Sequence, residues 1–174
     1  VSGVDGNIED RSNTVSVFNG PTPTILVLDS QSEENRVVYE WISTIAKEGV
    51  VPHEIGVFVR SSEQLGRAID AVKKTGIAYK ILDENLETTT GYISVSTMHL
   101  AKGLEFRTVV VMACDDEIIP LQERIETVGD DADLQEVYDT ERYLLYVACT
   151  RARDHLLVTS VEPASEFLDD LRVE

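Results

Sequence analysis

The chain has 174 residues, 43% of them hydrophobic, and a formal net charge of −17 at pH 7. This length and apolar content suit one globular domain and exclude a disordered chain. No apolar run approaches the ~20 residues that a membrane span needs, which predicts no membrane segment. The two cysteines, Cys114 and Cys149, lack metal-ligand spacing. We therefore expect no metal site, and buried free thiols in a reducing, cytoplasmic compartment.

The acidic residues are concentrated between positions 115 and 141. A negative charge disfavours a domain that holds nucleic acid by itself, because phosphate contacts need clustered lysines and arginines. We interpret the acidic run as a solvated loop followed by the start of a helix. The alternative is a surface that engages a basic partner.

Apolar runs and helical spacings predict one domain that begins at residue 24 and extends to residue 174. Residues 1–23 are interpreted as a tail or the remnant of a preceding region, with a weak edge strand at 14–18. In chain order we then predict a strand at 25–28, a helix that Gly49 ends, a strand at 55–59, a helix capped by Ser61-Ser62 and ended by Gly76, strands at 79–82, 93–96 and 109–112, a helix at 134–152, a strand at 156–159 and a closing helix at 164–171.

The alternation of strands and helices predicts an α/β domain with a mostly parallel sheet flanked by helices. Ligands bind such sheets at the loops that leave the carboxyl ends of the strands. This rule points to the segments after Val59, Ser96 and Met112, and to the region of Thr150 and Arg151.

One crossover between two predicted strands contains Thr97, His99, Lys102, Gly103 and Glu105. A hydroxyl, an imidazole, an ammonium and a carboxylate so close together indicate a functional site, and the glycine would let the backbone approach a ligand or turn sharply. A capped helical turn with surface charges explains the same residues equally well. Spacing alone therefore leaves both interpretations open.

Arginines follow two other predicted elements. Arg151 and Arg153 lie at the end of the helix at 134–152. Their guanidinium groups can pair with phosphate or carboxylate oxygens, or simply complement the helix dipole. Arg60 directly follows the strand at 55–59, where it is a candidate phosphate contact. None of these positions is decisive by itself.

Three strings together resemble a known family, the UvrD/Rep-type superfamily 1 ATP-dependent DNA helicases. STMHLAKGLEF is similar to their motif V, YLLYVACTRARDHLLV to motif VI and VFVRSSEQL to motif IV, in the same order and spacing. The resemblance covers about residues 55–159, and motifs V and VI are long and specific. It implies a RecA-like fold of the P-loop-NTPase type, and the second, C-terminal motor domain of such an enzyme.

The resemblance also implies a shared ATP site. In this family ATP with Mg²⁺ lies between two RecA-like domains, and the N-terminal one supplies the phosphate loop and the acidic magnesium residues. By motif position, Arg60 and Arg151 would reach the γ-phosphate, and Glu105 would hydrogen-bond the ribose. Gly103 would permit close approach, and Lys102 would reach the phosphates.

The same resemblance assigns Thr97 and His99 to single-stranded DNA that crosses both motor domains. Two departures from the family pattern matter. No G-x-x-x-x-G-K-[ST] string occurs in the chain, so we expect it to be inactive without an N-terminal RecA-like domain. Val59 stands where many members have an aromatic residue that can stack on adenine.

Two other interpretations stay open at this point. The fold could serve as a non-catalytic protein-interaction module derived from the helicase domain, with the acidic run as its contact surface. It could also belong to a helicase with a fused nuclease, although no nuclease residues are evident in this chain.

Overall fold

The computed structural model describes residues 21–172. The strand predicted at 14–18 lies outside the described residues, as does most of the predicted tail at 1–23. The first described strand begins at Thr24. Within residues 21–172 no helix is both long enough and apolar enough to cross a membrane.

A single sheet of six strands forms the centre of the described chain, and each strand runs parallel to its neighbours. The strands are β1 (Thr24–Leu28), β2 (Ile55–Val59), β3 (Tyr79–Ile81), β4 (Ile93–Thr97), β5 (Phe106–Val111) and β6 (Ala152–Val161). Their order across the sheet is β1-β6-β5-β2-β4-β3. Because all strands run in one direction, their amino ends lie along one side of the sheet and their carboxyl ends along the opposite side. We call these two sides the amino edge and the carboxyl edge.

Helices cover both faces of this sheet. The α-helices are α1 (Gln31–Lys47), α2 (Leu65–Lys74), α3 (Gln122–Glu126) and α4 (Asp131–Cys149), and short 3₁₀ helices lie at Pro52–Glu54, Ser62–Gln64, Met98–Gly103 and Glu166–Leu171. Helices α1 and α2 pack on one face, and α4 packs on the other. Within β2, Val57 and Val59 face the α1 side while Phe58 faces the α4 side. Burial of both faces explains why the strands are continuous apolar runs, and the predicted α/β class is confirmed.

A close packing contact explains the glycine inside β2. A Cβ atom on Gly56 would stand 2.5 Å from the ring of Phe106. That ring meets Phe58 edge-on, with 6.0 Å between the two centroids. Strand glycines often mark such close approaches.

The structure shifts the predicted helix at 134–152 toward the amino terminus. Helix α4 begins at Asp131 because Asp130 caps it, accepting a hydrogen bond of 2.9 Å from the Asp133 amide. It ends at Cys149, and β6 already begins at Ala152, where the Arg151 carbonyl accepts a bond from the Phe106 amide. The prediction that a helix continues through residues 150–152 was therefore wrong.

Two smaller predictions also differ. Ser61 makes no capping bond, and its buried hydroxyl has no hydrogen-bond partner among the described residues. The α-helix there begins only at Leu65, after a 3₁₀ turn. The closing segment is a 3₁₀ helix, begun by Ser165, whose hydroxyl accepts from the Phe167 amide.

Candidate functional site

The crossover between β4 and β5 connects the two edges of the sheet. Thr97 ends β4 at the carboxyl edge and is half-buried, and His99 lies exposed in the 3₁₀ helix that follows. Lys102 and Gly103 end that helix, and Glu105 directly precedes β5 at the amino edge. The structure therefore divides the polar residues of this segment between the two edges.

Arg151 lies next to Lys102, Gly103 and Glu105 at the amino edge. It stands directly before β6, and its Nη1 atom donates to the carbonyls of Lys102 and Leu104, both at 3.2 Å. Its Nε atom donates to the Val147 carbonyl at 3.1 Å. We call the group formed by Lys102, Gly103, Glu105 and Arg151 the amino-edge corner. The structure brings together these four predicted site residues from two distant segments.

Among residues 21–172, two cationic residues of the amino-edge corner form no ion pair with a carboxylate. Within residues 21–172, ion pairs hold Arg36, Arg60, Arg67, Arg107, Arg124, Arg142, Arg153 and Arg172. Neither Lys102 nor Arg151 forms an ion pair among the described residues. In a chain of net charge −17, the corner thus holds two cationic residues that form no ion pair with a described carboxylate. Glu105 is exposed beside them, so its carboxylate can accept a hydroxyl donor from a ligand.

The absence of a side chain at Gly103 has a structural explanation that the sequence did not indicate. A Cβ atom at this position would collide with Cδ1 of Leu86, from the loop between β3 and β4. The glycine thus accommodates a neighbouring side chain of the protein itself. Sequence reasoning missed Leu86, and no motif around it could have indicated the contact.

Arg60 is the one residue predicted to contact the nucleotide that lies outside the amino-edge corner. It follows β2 at the carboxyl edge and is only 3% exposed. Its Nε and Nη2 atoms donate to the two carboxylate oxygens of Glu141 at 2.8 and 2.6 Å. Measured along the strand direction, Arg60 and Arg151 are separated by the six residues of β5, which correspond to about 20 Å at the rise of a strand. The structure therefore does not bring Arg60 and Arg151 together: Arg60 is engaged by Glu141 inside the domain, and the expectation that both arginines reach one γ-phosphate stays a prediction.

Glu141 is the centre of a buried polar cluster on α4. Besides Arg60, its carboxylate accepts from the Leu121 amide at 2.8 Å and from Arg124 at 2.7 Å. Burial alone would raise the pKa of this carboxyl, but the hydrogen bonds from Arg60, Leu121 and Arg124 outweigh it and lower the pKa. The cluster fixes the loop before α3 and the strand end of β2 to the helix that leads to Arg151.

A second buried cluster lies at the carboxyl edge between α1 and α2. Glu34 is 1% exposed and accepts from Arg67, from the Ala113 amide at 3.0 Å and from the Thr159 hydroxyl at 2.9 Å. Arg67 also donates to Asp115 at 2.8 Å. The sequence does contain a signal for it, because Glu34 lies one turn before Val38 on the apolar stripe of α1.

These clusters revise the interpretation of the acidic run. Asp115 and Glu141 bind arginines within the domain, so the run is not simply a solvated surface. The two cysteines are buried and unpaired, as predicted. Burial raises the pKa of Cys149 to about 12, so its thiol stays protonated. No cluster of His, Cys, Asp and Glu in the described part of the chain could hold a metal ion.

Comparisons with known proteins agree with the fold and the motifs. The C-terminal domain of a possible DNA helicase from Lactobacillus plantarum has a similar structure, with a TM-score of 0.64, 20% identity, and coverage of 93% of this chain and 88% of that one. At this identity the likeness shows the fold alone, an α/β domain with a mostly parallel sheet, as predicted. The sequence profile of the UvrD-like helicase C-terminal domain family matches residues 83–163.

Curated relatives add to this match. ATP-dependent DNA helicase UvrD1 of Mycobacterium leprae is 34% identical over 103 residues, which are 53% of this chain and 12% of that protein. ATP-dependent DNA helicase PcrA of Staphylococcus aureus is 37% identical over 79 residues, 45% of this chain and 10% of that protein. The chain spans only a small part of the length of the curated relatives it matches. The resemblance drawn from the motifs is confirmed: residues 83–163 match the UvrD-like helicase C-terminal domain family.

Proposed function

We propose that this chain is the C-terminal motor domain of a UvrD-like ATP-dependent DNA helicase or translocase, and that its amino-edge corner contributes to a composite ATP site. One observation carries the proposal: the Arg151 guanidinium donates a hydrogen bond to the backbone carbonyl of Lys102. Both are cations free of ion pairs among the described residues, and hydrogen bonds from Arg151 fix the backbone around Lys102.

The residues of the corner fit ATP chemically. Arg151 and Lys102 suit phosphate oxygens, and an arginine that neutralises charge on a transferring phosphoryl group contributes ~10³–10⁵ in rate. The Glu105 carboxylate suits a ribose hydroxyl. The described residues offer no acidic cluster for Mg²⁺. We therefore assign Mg²⁺ and most phosphate contacts to an N-terminal RecA-like domain, and expect the present chain to be inactive alone.

The same proposal assigns Thr97 and His99 to single-stranded DNA. Both stand on the carboxyl-edge side of the crossover, away from the corner, and His99 is exposed. Six residues of one 3₁₀ helix then connect the DNA side to the nucleotide side. Arg60 is left out of the nucleotide site because Glu141 occupies its guanidinium group.

The test replaces Arg151 with alanine in the full-length helicase that contains this chain. We expect DNA-stimulated ATP hydrolysis to fall by about 10³ or more, with unchanged affinity for single-stranded DNA. Arg153→Ala is the matched control, because Arg153 is two residues away, 61% exposed and directed at Asp154. It should keep wild-type turnover.

Full ATP turnover in the Arg151→Ala variant would refute the role of the corner. A wild-type full-length protein that neither binds nor hydrolyses ATP would instead favour the protein-interaction module.

A further inference from the structure

Leu86 has an unusual conformation beside the amino-edge corner. Its backbone φ is +55°, in the left-handed region that residues other than glycine seldom adopt. The side chain is partly buried against the core on the α4 side, although residues 83–85 and 87–88 around it are exposed. Strained backbone conformations persist where the surrounding structure holds them, and they cluster at functional sites.

The contact that Leu86 makes is with Gly103. Its Cδ1 methyl group fills the space in which a side chain at position 103 would begin. Gly103 is not among the described glycines with positive φ, which are Gly49, Gly76 and Gly91. Its own backbone conformation therefore does not require glycine. A Cβ atom at position 103 would instead displace the Leu86 side chain from this place.

We propose that Leu86 is a positioning residue for nucleotide binding. Leu86 packs on Gly103, and Arg151 donates hydrogen bonds to the carbonyls of the residues before and after it, Lys102 and Leu104. Together these contacts hold the backbone turn at residues 102–104. Lys102 begins that turn and Glu105 follows it. This inference rests on the proposed ATP site, and it assigns control of the site's geometry to the loop between β3 and β4.

A double-mutant cycle between positions 86 and 103 tests the contact and its function. In the full-length protein, Leu86→Ala should raise the KM for ATP by about tenfold or more with a smaller change in kcat, because small misplacements of binding groups are costly. Leu86→Met should restore most of the loss. Ile81→Ala, which truncates another apolar side chain near the same loop, 46% exposed, should leave the KM unchanged.

Gly103→Ala alone should weaken ATP binding, and adding Leu86→Ala should relieve part of that loss, since the clashing methyl group is gone. Additive effects, or a Leu86→Ala variant with wild-type KM, would overturn the inference.

Failure of the proposed function looks different: the wild-type protein would show no ATP binding. The same cycle measured by urea unfolding of the 174-residue chain would still report the coupling between residues 86 and 103, and additivity there would overturn the contact itself.

Discussion

Arg60 and Arg151 occupy similar positions in the sequence, but their burial and hydrogen-bond partners differ in the structure. Each adjoins a buried strand, and each was expected at a γ-phosphate. Arg60 is 3% exposed and bound through two hydrogen bonds to Glu141. Arg151 is partly exposed, donates only to neutral oxygens and stands beside Lys102 at the other edge of the sheet. A charged partner, rather than a position at a strand end, separates an arginine of the core from one available to a ligand.

The difference also accounts for part of the acidic run between positions 115 and 141. Two of the acidic residues between positions 115 and 141 satisfy buried arginines, and only the remainder face solvent as candidates for another role. Breaking either cluster should therefore affect folding, whereas changes in the amino-edge corner should affect nucleotide chemistry.

The largest effect on stability should come from Glu141→Ala. Removing this carboxylate leaves Arg60 buried without its partner, and breaking a buried pair in this way costs about 3–5 kcal/mol of unfolding free energy. Urea unfolding of the 174-residue chain measures it. Glu136→Ala, at an exposed position of the same helix, should change the free energy by less than about 0.5 kcal/mol. Equal stability of the two variants would mean that Arg60 is not held as described.

A smaller effect is expected from acid. Hydrogen bonds lower the pKa of Glu141 in the folded chain, while the unfolded chain titrates near the ordinary value of 4.5. Below that pH the unfolded state binds more protons, so the stability from this carboxylate is complete above pH 4.5 and is lost as the pH falls through the lowered folded pKa.

Glu141→Gln should flatten that part of the acid-unfolding profile, and Glu136→Gln should not. An unchanged profile in the Glu141→Gln chain would contradict the lowered pKa.

The fold could be predicted from the sequence because its strands are buried on both faces and its helices carry regular apolar stripes. Four of the candidate site residues could be predicted to lie together because the crossover and the end of α4 hold long, specific motifs. The partner of Arg60 could not, since Glu141 lies 81 positions away and looks like part of an acidic surface. Leu86 was missed for a related reason: its contact with Gly103 depends on a loop conformation that no periodicity encodes.

Hydrogen–deuterium exchange with and without an ATP analogue tests the contrast between the two arginines most directly. In the full-length protein, nucleotide should slow exchange in peptides covering residues 98–106 and 146–154, which contain the amino-edge corner. Peptides covering residues 55–64 and 117–126, around Arg60 and Arg124, should exchange at unchanged rates. Protection centred on Arg60, with none at residues 98–106, would contradict the assignment of the nucleotide to the amino edge.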